Sequence, residues 1–402
     1  MARWLTEAFI RAPRSLDTVL RGTRRHLMPF LRRTLPATRL SGRTAGGQAA
    51  SVLLVDRRLA AATLCRCLFV GDPVVDWSGN VPLTGLGGFL TRHRAAVDLV
   101  LATIPRRLPR FLRPASGITM PGYVELILPV MADREAQFRL AHAKRRNRLR
   151  ACERGRFGWR VAAAREDFDE FVSNFHLPHV TGRFAGEAVL QGRFILERHA
   201  RFGGVLWLMH DDRTIGGDLF RQDGDVLWLL VTGMVGDPPA TRPSPQEGLY
   251  LFATDLARER RCTSVSFGAA APVLRDGVLS FKLSLGARVV DYADSHRDLV
   301  VDWAQPSAAL HALLRDHPLI VRRGRGFVAL TSTVGVDAAA QMTLAAKFVP
   351  AGVNGLVALA EGGDSVEAAT AMLAHPALPR TAEAPGRRAR TGRPRVSASP
   401  TS

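Results

Sequence analysis

The stretch from Gly204 to Tyr292 constrains this chain more than any other. Three short apolar runs rich in Val, Leu, Ile and Trp open it: Gly204–His210, Thr214–Arg221 and Asp225–Val231. The breaks between them are Asp211-Asp212-Arg213 and a segment holding Asp223-Gly224, a dipeptide that tolerates the positive φ angles of a two-residue hairpin turn. The runs therefore read as a three-stranded antiparallel meander. A proline-rich loop leads to Ser244-Pro245-Gln246-Glu247, where Ser at the N-cap, Pro at the first helical position and Glu at the third form a capping box. Leu249, Phe252, Leu256 and Ala257 follow at helical spacing, so one face of that helix is buried. A strand over Thr263–Phe267, a helix over about Val273–Leu285 and a strand over Arg288–Tyr292 complete the order β-β-β-α-β-α-β. A strand-helix-strand crossover makes the third and fourth strands parallel neighbours or near-neighbours. The loop from the third strand into the helix N-terminus presents backbone N–H groups that suit an anionic ligand.

The rest of the chain reads as flanks. Residues 51–122 predict a first α/β lobe, with strands at Val52–Val55 and Val97–Thr103 and a helix over Arg58–Leu68. Gly85-Leu86-Gly87-Gly88 has no Lys-Ser/Thr after it and reads as a plain loop, not a phosphate cradle. A strand is expected at Tyr123–Pro129, then a helix Ala132–Arg154 on which Lys144, Arg145, Arg146, Arg148 and Arg150 crowd; this is a solvated face, a cationic wall beside a site, or a nucleic-acid contact without an interleaved aromatic platform. A strand is expected at Phe157–Ala163, a short helix at Asp167–Asn174, a loop holding His176, Pro178 and His179, and a helix Gly186–Arg201. Beyond Tyr292, a strand at His296–Trp303 closes the core, and residues 304–375 read as a C-terminal extension of alternating helical and strand-like runs.

Charge and cysteine content exclude some classes. The net charge of +19 is concentrated: residues 1–50 carry ten Arg against Glu7 and Asp17, and residues 380–402 carry six Arg against Glu383. The folded body is thus only mildly basic. Residues 1–50 read as a basic arm that leaves open a peripheral contact with the inner face of a membrane, and residues 376–402 as a disordered basic tail. No apolar run reaches the length needed to span a bilayer and no apolar leader segment is visible, so a cytoplasmic location is expected. Cys65, Cys67, Cys152 and Cys262 are too few for a disulfide framework, and no set of ligands completes a metal site around Cys65-x-Cys67. Only three residues are Lys (Lys144, Lys282 and Lys347), which draws attention to any Lys on an apolar helix face.

The stretch resembles the core of the GNAT acyltransferase superfamily, over about residues 120–295. Its end resembles more narrowly the FemAB-like branch, which includes acyltransferases found beside polysaccharide genes. The pattern there is a Gly after the fifth strand, then DG-x-x-x-(F/Y)-K-x-x-x-G-A; here it reads Phe267-Gly268, Asp276-Gly277-Val278-Leu279-Ser280-Phe281-Lys282 and Gly286-Ala287. The usual diphosphate signature, Q/R-x-x-G-x-G/A, is absent from Met234–Gln246. The resemblance implies a mixed α/β fold: a GNAT-like core with a mostly antiparallel sheet and a parallel splayed pair, over residues 123–303, preceded by a degenerate GNAT-like half in the first lobe. It implies acyl-CoA as co-substrate, held by Val231, Gly233, Val235, Gly236 and Ser244, with no metal. Oxyanion donors would come from the backbone of Leu230–Val235. Lys282, whose helix face also holds Val278, Phe281 and Leu285, would add a cation at the transfer site; a Lys near a helix C-terminus also complements the dipole. Arg183 is a candidate for holding a carboxylate or phosphate of the acceptor, and Glu187 and Tyr250 for base and acid. The expected activity is N-acyl transfer, of an acetyl group in the simplest case, to an amine of a sugar, lipid or peptide. Two alternatives stay open: a Fem-type aminoacyl-tRNA-dependent transfer, and a non-catalytic GNAT-like scaffold.

Overall fold

The computed structural model describes residues 33–108, 117–184, 192–235, 244–293, 295–347, 349–359 and 371–373. In chain order, β1 (Thr34–Arg43), β2 (Ala49–Val55), α1 (Leu59–Leu68), β3 (Val74–Pro82), α2 (Leu86–His93), β4 (Leu99–Pro105) and β5 (Ile118–Pro121) come first. Next are β6 (Val124–Pro129), α3 (Arg134–Leu140), α4 (Ala143–Arg154), β7 (Phe157–Ala162), α5 (Arg165–Glu170), a π-helical turn at Phe171–His176 and α6 (Leu177–Phe184). The central elements are α7 (Arg193–Ala200), β8 (Gly203–His210), β9 (Arg213–Asp223), β10 (Val226–Met234), α8 (Pro245–Glu259), β11 (Ser264–Ala270), α9 (Gly277–Ser284) and β12 (Arg288–Asp291). The chain ends with β13 (Arg297–Asp302), α10 (Ala308–Asp316), β14 (Leu319–Arg323), β15 (Gly326–Ser332), α11 (Ala338–Ala346), β16 (Leu356–Leu359) and β17 (Ala371–Leu373).

These strands build three mixed sheets, each with one parallel pair among antiparallel ones, so the architecture is mixed α/β. The second sheet, in the order β12-β6-β11-β10-β9-β8-β7, holds the expected meander β8-β9-β10 and the parallel pair β10-β11 made by the α8 crossover. The first sheet, β3-β1-β2-β4-β13-β5, repeats the same run of relations: antiparallel, antiparallel, parallel (β2-β4), antiparallel, antiparallel. The repeat is not a simple duplication, because β3 follows β1 and β2 in the chain and β13 arrives from beyond the second sheet. The third sheet, β14-β15-β16-β17, is joined to the first by a hydrophobic core that holds Val52, Leu101, Leu299, Leu319 and Val357.

Several local expectations are corrected. Residues 34–43, read as part of a basic arm, form β1, because Leu35, Ala37 and Leu40 point inward in alternation with polar neighbours; residues 1–32 lie outside the described part. The strand expected at His296–Trp303 forms as β13 (Arg297–Asp302), but it pairs with β4 and β5 of the first sheet and not with the strands of the second. The long helix expected over 132–154 is two helices, broken at Ala141-His142, where the Arg146 guanidinium takes the Phe138 and Ala141 carbonyls. Gly85-Leu86-Gly87-Gly88 is the entry to α2 and not a loop. His176, Pro178 and His179 sit in continuous helical backbone; the π-helical turn just before Pro178 departs from the regular i→i−4 ladder, which accommodates a residue with no N–H to give. The tail at 376–402 lies outside the described residues.

Candidate active site

The second sheet opens where β10 and β11 part. Their parallel ladder covers only Val226–Trp228 against Ser264–Ser266, although both strands continue for several residues. Each strand has its own reason to leave. The β10 register against β9 slips between Leu229 and Val231, a bulge at Leu230, and bulges bend the strand that carries them. The β11 register against β6 slips between Ser266 and Ala269, and Gly268 there has φ +73, a conformation that L side chains avoid. The result is an interruption of the sheet, bordered by backbone groups of two diverging strands.

Polar side chains gather at this opening. Lys282 is on the inward face of α9, with Leu279 and Leu285; Val278, expected on that face, points to solvent. The helix is started by Asp276, whose Oδ1 accepts from the Val278 and Leu279 amides at 3.0 and 2.9 Å. Lys282 Nζ donates to the Phe267 carbonyl at 2.5 Å, at the point where β11 turns away. Asp218, on β9, is buried, and its Oδ1 accepts from Thr232 Oγ1 of β10. Its other oxygen, Oδ2, is buried with no hydrogen-bond partner among the described residues. The Thr232 carbonyl in turn accepts from Nδ1 of the buried His176 at 2.9 Å. Close packing holds this last contact: a Cβ on Gly233 would lie 2.6 Å from the His176 backbone nitrogen, so β10 and the π-helical turn meet with no side chain between them.

Electrostatics set this pair apart. Burial pushes the Asp218 carboxyl up to about 7, against the opposing effects of the Thr232 hydroxyl and the Lys282 charge. Burial pulls the Lys282 ammonium down to about 8, and Asp218 and Asp276 oppose that drop. The two groups are not in hydrogen-bond contact but each feels the other's charge, and a carboxyl and an amine that both exchange protons near neutrality are suited to acid–base work.

The start of α8 is organised differently from an open anion cradle. Glu247 is fully buried there, and Oε2 accepts from the Ser244 amide at 3.1 Å, one half of the capping box. Oε1 takes Arg145 Nη1 and, at 3.2 Å, Arg148 Nη1, both from α4. Arg145 also donates to Ser284 Oγ at 3.0 Å and lies 4.5 Å from the Phe281 ring centroid. Two guanidiniums against one carboxylate leave a net positive charge at this helix end. The remaining basic residues of α4 are divided: Arg146 is spent on carbonyls and Arg150 on Glu135, and Lys144 and Arg154 are exposed.

The expected residues thus fall into three groups. Lys282 and Tyr250 are both at the site: the Tyr250 ring packs 4.5 Å from Phe267 and 5.6 Å from Phe281, centroid to centroid. Val231 and Gly233 lie in the β10 ladder past the bulge, and the Val235 and Ser244 amides are already used, by the Ile215 carbonyl and by Glu247. Glu187 and Gly236 lie outside the described residues, and of Arg183 only its place on α6 is described. Asp218, Thr232 and Glu247 were not singled out as site residues. The Asp218 signal was present, since alternation along Thr214–Arg221 puts it on the same inward face as Phe220. Among the described residues no three His, Cys, Asp or Glu side chains converge as a metal would need.

No protein-family model and no curated protein matches the chain. The chain is similar to several solved structures. One is FemX, at 11% identity and a TM-score of 0.37, covering 66% of this chain and 88% of that one. Another is L-PGS from Bacillus licheniformis, at 14% identity and 0.35, covering 67% and 85%. A third is a putative GNAT-family acetyltransferase from Novosphingobium aromaticivorans, at 12% identity and 0.24, covering 57% and 86%.

Proposed function

We propose that the chain is an N-acyltransferase that moves an acyl group from acyl-CoA to an amine of a sugar, lipid or peptide. The observation that carries this reading is the buried Asp218–Lys282 pair at the parting of β10 and β11, with one Asp218 oxygen unpartnered. The amine nitrogen adds to the thioester carbonyl, and negative charge develops on the carbonyl oxygen. Lys282 offsets that charge from a site with little water, where a cation acts strongly. Asp218 Oδ2 takes the proton that the nitrogen sheds as the C–N bond forms. When the C–S bond breaks, Lys282 gives a proton to the leaving thiolate, and the proton on Asp218 restores the ammonium. Thr232 and His176 hold Asp218 and β10 in place and do not meet the reacting atoms.

Glu247 favours a second donor. The Ser244 amide at the start of α8 is already engaged by the Glu247 carboxylate and is not free to meet a diphosphate. An aminoacyl ester carried by tRNA needs no diphosphate at that position. Calorimetry with acetyl-CoA at moderate salt is the test. Saturable one-to-one binding, tighter than that of ATP, is expected for an acyl-CoA enzyme. Binding no tighter than ATP overturns the acyl-CoA donor, and aminoacyl-tRNA then becomes the substrate to assay. If transfer from either donor is unchanged in a Lys282→Met variant, the catalytic reading of the pair fails.

A further inference from the structure

The element α7 lies on the opposite face of the second sheet from α8 and is anchored by Leu196, which is buried among Phe168, Val205, Trp207 and Leu219. Its outward side is unusual. Phe194 is 75% exposed, Phe202 just past its end 67%, and Ile195 47%. At 100° per residue, Arg201, Phe194, Arg198, Phe202 and Ile195 follow one another within an arc of about 120°. Cations and large apolar side chains therefore share one face. The other charges nearby are already paired: Arg193 with Asp169 and Glu197, Arg165 with Glu197, and His199 with Arg221. Arg198 and Arg201 are exposed.

We infer that this face of α7 docks the protein on an anionic lipid bilayer, with Phe194, Ile195 and Phe202 entering the headgroup–acyl boundary and Arg198 and Arg201 meeting lipid phosphates. The charge pattern selects this occupant. A bilayer surface with negative headgroups accepts exposed aromatic and aliphatic side chains together with guanidiniums in one plane. An RNA strand would use the two phenyl rings as stacking platforms but offers Ile195 nothing. The surface is distinct from the parting of β10 and β11 and does not depend on the reaction proposed there.

Cosedimentation of the full chain with vesicles tests the inference, using phosphatidylcholine alone and phosphatidylcholine mixed with phosphatidylglycerol. Binding to the anionic vesicles is expected, weakening as salt rises, and at least about tenfold weaker in a Phe194→Asp, Phe202→Asp double variant. Amide hydrogen exchange of the wild-type chain with and without vesicles gives a second measurement that needs no variant; protection is expected over residues 193–202. Vesicle binding that survives the double substitution, or protection confined to other segments, overturns the inference in favour of another lipid-binding surface. So does the absence of vesicle binding, protection of this segment by tRNA alone, or a wild-type dimer that the double substitution makes monomeric.

Discussion

At the scale of single residues, the pair Asp218 and Lys282 makes predictions that a purely structural ion pair would not. With Asp218 as the proposed base and Lys282 as the proposed acid, the rate should rise as pH climbs through about 7 and fall beyond about 8. An Asp218→Asn variant should lose the acid limb of that profile as well as most of its activity. Lys282→Met should lower kcat by about 10²–10³, as the loss of one oxyanion-stabilising group does, while the circular dichroism spectrum stays unchanged. Stability should move the other way. The ammonium is held below its ordinary 10.5, down to about 8, so the unfolded chain binds more protons between those values and the wild type gains stability as pH rises across that window. Denaturant titrations at pH 8 and pH 10 should show this gain in the wild type and not in Lys282→Met; a gain that persists in the variant would assign the effect to another group. Lys282 was legible in the sequence because Lys is scarce here and the DG-x-x-x-FK spacing is recognisable. Asp218 was legible only as one acid inside an apolar run. Nothing in the sequence revealed that His176 and Thr232 would meet, because they are 56 positions apart and joined only by packing.

At the scale of elements, the meander, the capping box and the DG-started helix could all be read from the chain, since each depends on neighbours within a few residues. The errors lie where tertiary contact overrides local pattern. The helix over Ala132–Arg154 breaks because Arg146 reaches back to the carbonyls of the preceding turn, and the segment at His176–His179 is helical because β10 packs against it. That packing is tested by Gly233→Ala, whose new methyl would lie 2.6 Å from the His176 backbone nitrogen. The contact is with backbone, which cannot swing aside, so a loss of about 1–3 kcal/mol is expected in urea titrations. Replacing Asp276 by Ala removes the cap of α9 and should cost about 1 kcal/mol. It should also lower activity more than that loss of stability accounts for, because α9 carries Lys282; equal activity per folded molecule would argue that the cap does not hold the catalytic geometry.

At the scale of the whole molecule, one carboxylate ties three sheets together. Asp291, at the edge of the second sheet, accepts from Arg106, which follows β4 of the first sheet, and from Arg322 of the third at 2.9 and 3.2 Å. Arg322 also reaches Asp298 of β13 at 3.0 Å. Burial pushes the Asp291 carboxyl up, but Arg322 and Arg106 together hold it below its usual range. Its stabilising effect is therefore complete above about pH 4 and is lost on further acidification. Asp291→Asn should make the acid unfolding limb shallower. It should also separate melting monitored near Trp77, in the first sheet, from melting monitored at Trp207 and Trp228, in the second. None of this junction could be read from the sequence, since its parts come from three distant segments.

The place of β13 has a consequence for how the protein is made. Among the described residues, strand β5 pairs only with β13, which the ribosome delivers about 180 residues later. At about 5–20 residues per second, the first sheet waits roughly 10–40 s with β4 bare on one side and β5 unattached. The second sheet emerges in the meantime. The nascent N-terminal half thus spends its synthesis as an incomplete sheet with an open edge, the state in which a holdase chaperone would find most to bind, and the last step of its folding is set by translation of residues 297–302 and not by its own sequence.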